Sequence, residues 1–340
     1  MDTSRSTQTT GVERPGRHRL PSRRCPAKER ADASQRGAQS MSDIVLHHYP
    51  QSPFGEMVRL ALGLKRLPWK SVVVPNILPK PDLEILTGGY ARVPVLQIDA
   101  DIYCDTAAIM DALEDHAPSP SLYPQPLGLA GRALALWAGG PVFTPAVGAA
   151  LGPAKDMLPE EFWKDREGRF GMKKEQFLPM VPHLQQQFAA AMTLLEEILS
   201  DGRTFIGGEA PGHADLALYM LVWFQEMRGG KPADYGDRVA QWASRIAAGG
   251  HGSSTEWTAD KALDLAKKSE PLHDCAVLPG AGLQVGDKVS VGPEGPDPGR
   301  VVGTLIGLDD RSITVERSHE RVGKVHVHLP RIGQSILPVD

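Results

Sequence analysis

In the stretch "YPQSPFGEMVRLALG", residues 49–63, a serine and a proline precede a run with helical spacing, so Ser52 stands where a helix begins. A helix start offers unpaired backbone N–H groups and about half a positive charge, and an anion held against it is stabilised. A thiolate fits this role: cysteines at helix N-termini have pKa values lowered from about 8.5 to about 3.5–7.5. The hydroxyl of Ser52 can donate a hydrogen bond to such a sulfur. It can equally cap the helix for itself, as serines commonly do. Tyr49, at the end of the preceding strand, is a rival, because its phenol can approach the same sulfur.

Two more clusters bear chemistry. In "ARVPVLQI" a proline falls in a strand pattern, where it needs an edge, a bend or a cis peptide. A cis Val93–Pro94 bond would turn the Val93 backbone outward to pair with an extended, peptide-like ligand, although X-Pro at the start of a strand is usually trans. In "CDTAAI" an acid and a hydroxyl stand at a strand end and open a helix. Asp105 and Thr106 can cap that helix, or hold the ammonium and carboxylate of an amino-acid moiety.

The elements that must position these residues follow from periodicity. "DIVLHHY" reads as a strand, Pro50-Gln51-Ser52-Pro53 as a turn, and Met57, Leu60, Ala61 and Leu64 as one face of a helix. "WKSVVVP" (69–75), "VPVLQID" (93–99) and "DIYCD" (101–105) add three strands, the last two close enough for a hairpin over Asp99-Ala100-Asp101. A further helix starts near Asp105-Thr106 and carries Ile109, Met110 and Leu113 on one face. Residues 43–120 thus read as an α/β domain, closed by the proline-rich linker "APSPSLYPQP".

Residues 127–270 have helical spacing and no convincing strand alternation, with Leu184, Phe188, Met192 and Leu195 on one stripe and "ADLALYMLVWF" apolar nearly all round. They predict an all-α domain. "EEFWKDREGRF" (160–170), acid and base mixed, reads as a solvated helix or loop. From 279 to 340, short alternating runs separated by Gly, Pro and Asp predict a small β-barrel-like domain.

Together the three clusters resemble the thioredoxin-like N-terminal domain of the glutathione transferases, followed by that family's all-α domain, over residues 43 to about 250. The resemblance implies a site for glutathione. Ser52 falls near the sulfur, Val93 with Pro94 at the cysteinyl backbone, and Asp105 with Thr106 at the γ-glutamyl end. "SPFGEMVRL" is similar to the "CPF" turn of the omega-type branch, which sets Phe54 beside the ligand and puts Ser52 where those members have cysteine. Serine cannot form a mixed disulfide; it can hydrogen-bond a thiolate. Family members usually show Glu-Ser where this chain has Asp-Thr. Lys80, in "PKPD", can reach a glutathione carboxylate or simply be solvated. "GHADLALY" is similar to the family's buried capping motif, with Gly212 in place of the usual hydroxyl residue and Asp215 still able to accept backbone N–H bonds.

The resemblance implies an enzyme that conjugates or transfers glutathione to a small electrophilic or apolar co-substrate, and a homodimer, with no metal. The open alternatives are a non-catalytic binding or regulatory protein that docks a protein partner through the C-terminal β domain, and a glutathione-dependent lyase or isomerase. Composition narrows the other classes. The chain has 340 residues, 41% hydrophobic and 23% charged, with a net charge of −4, so no global field draws nucleic acid or an anionic membrane. The C-terminal segment has eight acids to seven bases and no Phe, Trp or Tyr, which leaves no stacking platform for nucleic acid. Cys25, Cys104 and Cys275 lie far apart, a pattern of a reducing, cytoplasmic setting. His326 and His328 share a strand face and His319 is near in sequence, but no fourth metal ligand is identified. Residues 1–40, with nine Lys or Arg against four acids and little to form a core, read as a disordered basic extension. Met41 directly before the first strand raises the alternative that translation begins there.

Overall fold

The structure is a computed structural model in which residues 42–271, 276–278 and 282–339 are described. The expected extension over 1–40 lies outside these residues, as do Met41, Cys25 and Cys275.

The first part is the expected thioredoxin-like unit: β1 (Ile44–His48), α1 (Pro53–Leu64), β2 (Trp69–Val73), α2 (Pro81–Thr87), β3 (Val95–Ile98), β4 (Asp101–Cys104) and α3 (Thr106–His116). Proline at its first position suits α1, because the missing N–H would have been unpaired there. Met57, Leu60 and Ala61 bury the face predicted for that helix, and Ile109, Met110 and Leu113 do so for α3. Strand β1 runs parallel to β2 and antiparallel to β3, and β3 is antiparallel to β4. The Asp99-Ala100 turn between the last two has Asp99 at φ 55°, a conformation that aspartate tolerates better than most residues.

The helical part contains α4 (Ala130–Gly139), α5 (Phe143–Leu151), α6 (Glu160–Phe170), α7 (Lys174–Ile198), α8 (His213–Glu226), α9 (Asp237–Ala247) and α10 (Ala259–Lys268). The predicted stripe of Leu184, Phe188, Met192 and Leu195 faces the core from α7, and α8 is buried at twelve of its fourteen positions. Asp215 anchors this part. Its Oδ1 accepts from the Ile206 amide at 2.7 Å and the Trp242 indole at 2.9 Å, and its Oδ2 from the Gly212 amide at 3.0 Å. Gly212 is explained by space: a Cβ there would lie 2.6 Å from Pro124 Cδ and 2.8 Å from the Leu122 carbonyl oxygen, so a capping hydroxyl residue does not fit.

Two expectations need correcting. The helical region also holds a strand, β5 (Ser254–Glu256), which extends the sheet beyond β2 and whose three exposed polar residues give no alternation to detect. And the solvated reading of α6 holds for most of its positions but not for Trp163 and Arg169, which are buried.

The C-terminal segment is strand-rich as expected, with β6 (Lys288–Pro293), β7 (Val301–Leu308), β8 (Ser312–His319), β9 (Gly323–Pro330) and β10 (Gln334–Pro338). It does not stand apart as a separate barrel. Strand β9 pairs in parallel with β4, and the whole forms one ten-stranded sheet in the order β10-β6-β7-β8-β9-β4-β3-β1-β2-β5. The seam is both apolar and polar. Ile102 and Cys104 share a core with Val325, Val327 and Leu329, while His328 Nε2 meets Asp101 Oδ1 at 2.7 Å and its ring stacks on Tyr103 with centroids 4.6 Å apart. An unpaired edge at β4 would expose backbone groups to association, and β9 covers it. Among the described residues no single helix is long and apolar enough to cross a membrane.

Candidate active site

Sheet register gathers the three clusters. His47 is level with Val95, and Val95 with Cys104, so the segments just beyond these pairs, Tyr49 after β1, Val93–Pro94 before β3 and Asp105 after β4, lie at one end of the sheet on adjacent strands about 4.8 Å apart. This end carries the carboxyl termini of the parallel strands β1, β2, β4 and β9, where ligands of open α/β sheets bind. Helices α1 and α3 both begin there.

At the start of α1, Ser52 is the N-cap: its Oγ accepts from the Gly55 amide at 3.0 Å, and its own amide bonds the Tyr49 carbonyl at 3.1 Å. The capping reading of Ser52 is therefore correct. It leaves the hydroxyl hydrogen unused, since a hydroxyl both accepts and donates. Pro53 has no N–H and Gly55 is capped, so the Phe54 amide is the first-turn donor that no described residue takes. The Phe54 ring turns toward the helical part and packs against Phe143 of α5, centroids 4.6 Å apart. Tyr49 is half-buried.

The Val93–Pro94 peptide is cis. Among the described residues, neither the amide nor the carbonyl of Val93 has a backbone partner, which leaves an open edge at the entry to β3. Beyond it Asp105 caps α3, accepting from the Ala107 amide at 3.0 Å through Oδ1, with φ at 77°. A non-glycine residue at positive φ is uncommon and recurs at functional sites. Burial raises the Asp105 carboxyl pKa, with the Ala107 amide and the Arg92 guanidinium pulling the other way. Thr106 follows as the half-buried first residue of α3.

Lys80 stands differently from a solvated lysine. It is 1% exposed, donates from Nζ to the Ala91 carbonyl at 2.9 Å, and burial together with nearby Arg169 lowers its pKa to about 7. Arg169 of α6 reaches the same carbonyl through Nη2 at 3.2 Å. Asp297, in the loop before β7, accepts from Arg92 Nε at 2.7 Å and lies 3.8 Å from Arg169. Helix α6 is held over this corner because the Leu78 amide donates to Asp165 at 2.7 Å. Sequence reasoning missed Arg169. Its signal was the presence of Phe162, Trp163 and Phe170 among the charges: Trp163 is buried with Arg169, and the Arg169 guanidinium lies 4.7 Å from the ring centroid of the exposed Phe170.

His47, His48 and His326 make structural contacts. His47 Nε2 meets Gln97 Oε1 at 3.0 Å, and His48 Nε2 meets Ser71 Oγ at 2.9 Å on the opposite face. His326 pairs with Glu316 at 3.4 Å. Among the described residues no group of three or more His, Cys, Asp or Glu stands together as metal ligands would.

Comparison with known proteins places the chain in a family. A model of the glutathione S-transferase N-terminal domain matches residues 46–121, and one of the glutathione S-transferase C-terminal domain matches residues 161–245. A solved GST-like protein from Pseudomonas syringae is 36% identical, over 88% of this chain and 100% of that one, with a TM-score of 0.72. The strands from Lys288 onward span more residues than that match leaves out, so this relative shares at least part of them. The probable chloroplastic glutathione S-transferase DHAR2 of Oryza sativa subsp. japonica is 24% identical over 52% of each chain. Glutathione S-transferase DHAR2 of Arabidopsis thaliana is 34% identical over 22% of this chain and 34% of its own length. The chain thus spans about half and about a third of these two curated relatives.

Proposed function

Because the chain belongs to the glutathione S-transferase family, we propose that it binds glutathione at the shared sheet end and transfers it to a small electrophilic or apolar co-substrate. The observation that carries this reading is the convergence of two helix starts and an open peptide edge: Ser52 with the Phe54 amide, Val93, and Asp105 with Thr106. The cysteinyl backbone pairs with Val93, the γ-glutamyl end meets Asp105, and the sulfur lies between the Ser52 hydroxyl and the Phe54 N–H. There the thiol gives its proton to water. The thiolate attacks the electrophilic carbon, the C–S bond forms, and the leaving group departs with its electron pair. Family likeness and the cysteine pattern extend the proposal to a cytoplasmic homodimer.

Turnover with glutathione and a chloronitrobenzene acceptor tests the role of Ser52. Loss of a hydrogen bond to a charged group is worth about 1.5–3 kcal/mol, so Ser52→Ala should lower kcat/KM by roughly ten- to a hundredfold. Tyr49→Phe should change it far less. If the parent is active and Ser52→Ala loses nothing while Tyr49→Phe does, the phenol holds the sulfur instead.

A second reading has its own support. Ser52 is only 2% exposed and its hydroxyl already caps α1, which suits a fold that binds glutathione without transferring it. Retention on immobilised glutathione with no turnover would favour that reading. A glutathione-dependent lyase or isomerase would begin from the same thiolate, and product analysis separates it.

A further inference from the structure

We infer that Gln334, on the last strand, belongs to the ligand site and, with Asp105, receives the ammonium group of the γ-glutamyl moiety. This rests on the glutathione reading and adds a residue that lies outside both matched domains.

Gln334 is 4% exposed, and its Nε2 lies 3.5 Å from Asp105 Oδ2. Among the described residues its buried Oε1 has no hydrogen-bond partner. A buried acceptor left unpaired is unfavourable and rare, and such an oxygen beside the Asp105 carboxylate asks for a donor. Asp105 supplies a second acceptor: Oδ1 takes the Ala107 amide at 3.0 Å, while Oδ2 takes only the long 3.5 Å contact from Gln334 Nε2 and can accept again. Two acceptors with no hydrogen-bonded cation between them match an ammonium, which has three donors and no acceptor. Arg92, whose charge acts on Asp105, directs its Nε–H to Asp297 at 2.7 Å. A neutral amide suits this position, since a lysine or arginine would neutralise Asp105 and repel the ligand.

Delivery of Gln334 depends on the C-terminal strands. Pairing of β9 with β4 ends at Tyr103 with His328, two residues before the end of β9, and the turn through Gly333 at φ 83° leads into β10. There Gln334 is level with Pro293 of β6, and Gly333 accepts from the Glu294 amide at 3.0 Å. Docking of the segment on the sheet thus completes one wall of the site.

Calorimetry on the full chain, with glutathione and with its analogue lacking the α-amino group, tests this. The parent should prefer glutathione. Gln334→Met, of similar shape but without the acceptor, should weaken glutathione by about tenfold or more and leave the deaminated analogue unchanged. Gln334→Glu keeps an acceptor and adds charge, so it should prefer glutathione over the analogue by a wider margin than the parent does. Equal weakening of both ligands in Gln334→Met, or none, overturns the inference. If Gln334→Met does not fold, an unchanged preference in Gln334→Glu overturns it. A parent that binds neither ligand removes the glutathione reading and the inference together; a parent that binds glutathione while the variants match it removes the inference alone.

Discussion

Replacing Asp215 with alanine should destabilise the fold by about 3–5 kcal/mol, because three buried donors lose their acceptor at once. Asp215 is 0% exposed, and the amides of Ile206 and Gly212 and the indole of Trp242 have no route to water. The three donors come from the turn before α8, from its N-cap and from α9, so one carboxylate ties together the centre of the helical part. Asp215→Asn, which keeps one acceptor oxygen, should fall between alanine and the parent. Urea unfolding followed by circular dichroism measures the differences; an alanine variant within about 1 kcal/mol of the parent would mean that the carboxylate is not the anchor described here.

Acid should unfold the protein well above the pH at which ordinary carboxylates titrate. Burial lowers the pKa of His47 to about 4 and those of His48 and His213 to about 3, with the Arg59 guanidinium adding to the effect on His48 and Arg132 to that on His213. The Gln97 hydrogen bond acts the other way on His47, and Glu56 on His48. In the unfolded chain these imidazoles take protons near pH 6.5, while in the folded chain they stay neutral. The unfolded state therefore binds more protons below pH 6.5, and stability falls as pH drops from there toward 4. Between pH 6.5 and 4.5 each histidine contributes a loss of about 2–3 kcal/mol. Asp105 and Asp215, whose carboxyls burial pushes up, take protons first in the folded state and offset part of this. A net fall on the order of 5 kcal/mol remains. Urea midpoints measured from pH 7.5 to 4.5 should be level above about 6.5 and decline below it, and His213→Gln should flatten the decline. A midpoint that stays constant down to pH 5 would contradict the burial of these rings.

The parts of the site legible in the sequence are those written in local chemistry. Ser52 before Pro53, Val93 before Pro94, and Asp105-Thr106 after a β-branched run each mark an element boundary, and boundaries of parallel strands collect at one sheet end by topology alone. What local pattern could not show is which long-range partner a surface takes. The alternation of Val325, Val327 and Leu329 with His326 and His328 suits a free-standing barrel and a sheet extension equally, because a strand's period does not name its neighbour. What distinguishes them is long-range, such as the pairing of Asp101 with His328 across 227 residues and the stacking of Tyr103 on His328. Arg169 was hidden because a charged helix reads as solvated until something folds beneath it. Gln334 was hidden because one amide in "IGQSIL" carries no signal apart from the carboxylate it meets. Gly212 shows the converse: a departure from the family's capping motif that space explains and spacing cannot.

In the proposed complex glutathione rests with its sulfur ionised against the first turn of α1, beside Ser52. Titrating the ultraviolet absorbance of the thiolate in the protein–glutathione complex tests it most directly. The bound thiol should ionise at least about one unit below the free thiol, and Ser52→Ala should return most of that shift. A bound thiol that titrates with free glutathione, or a complex that does not form at millimolar ligand, would contradict the account.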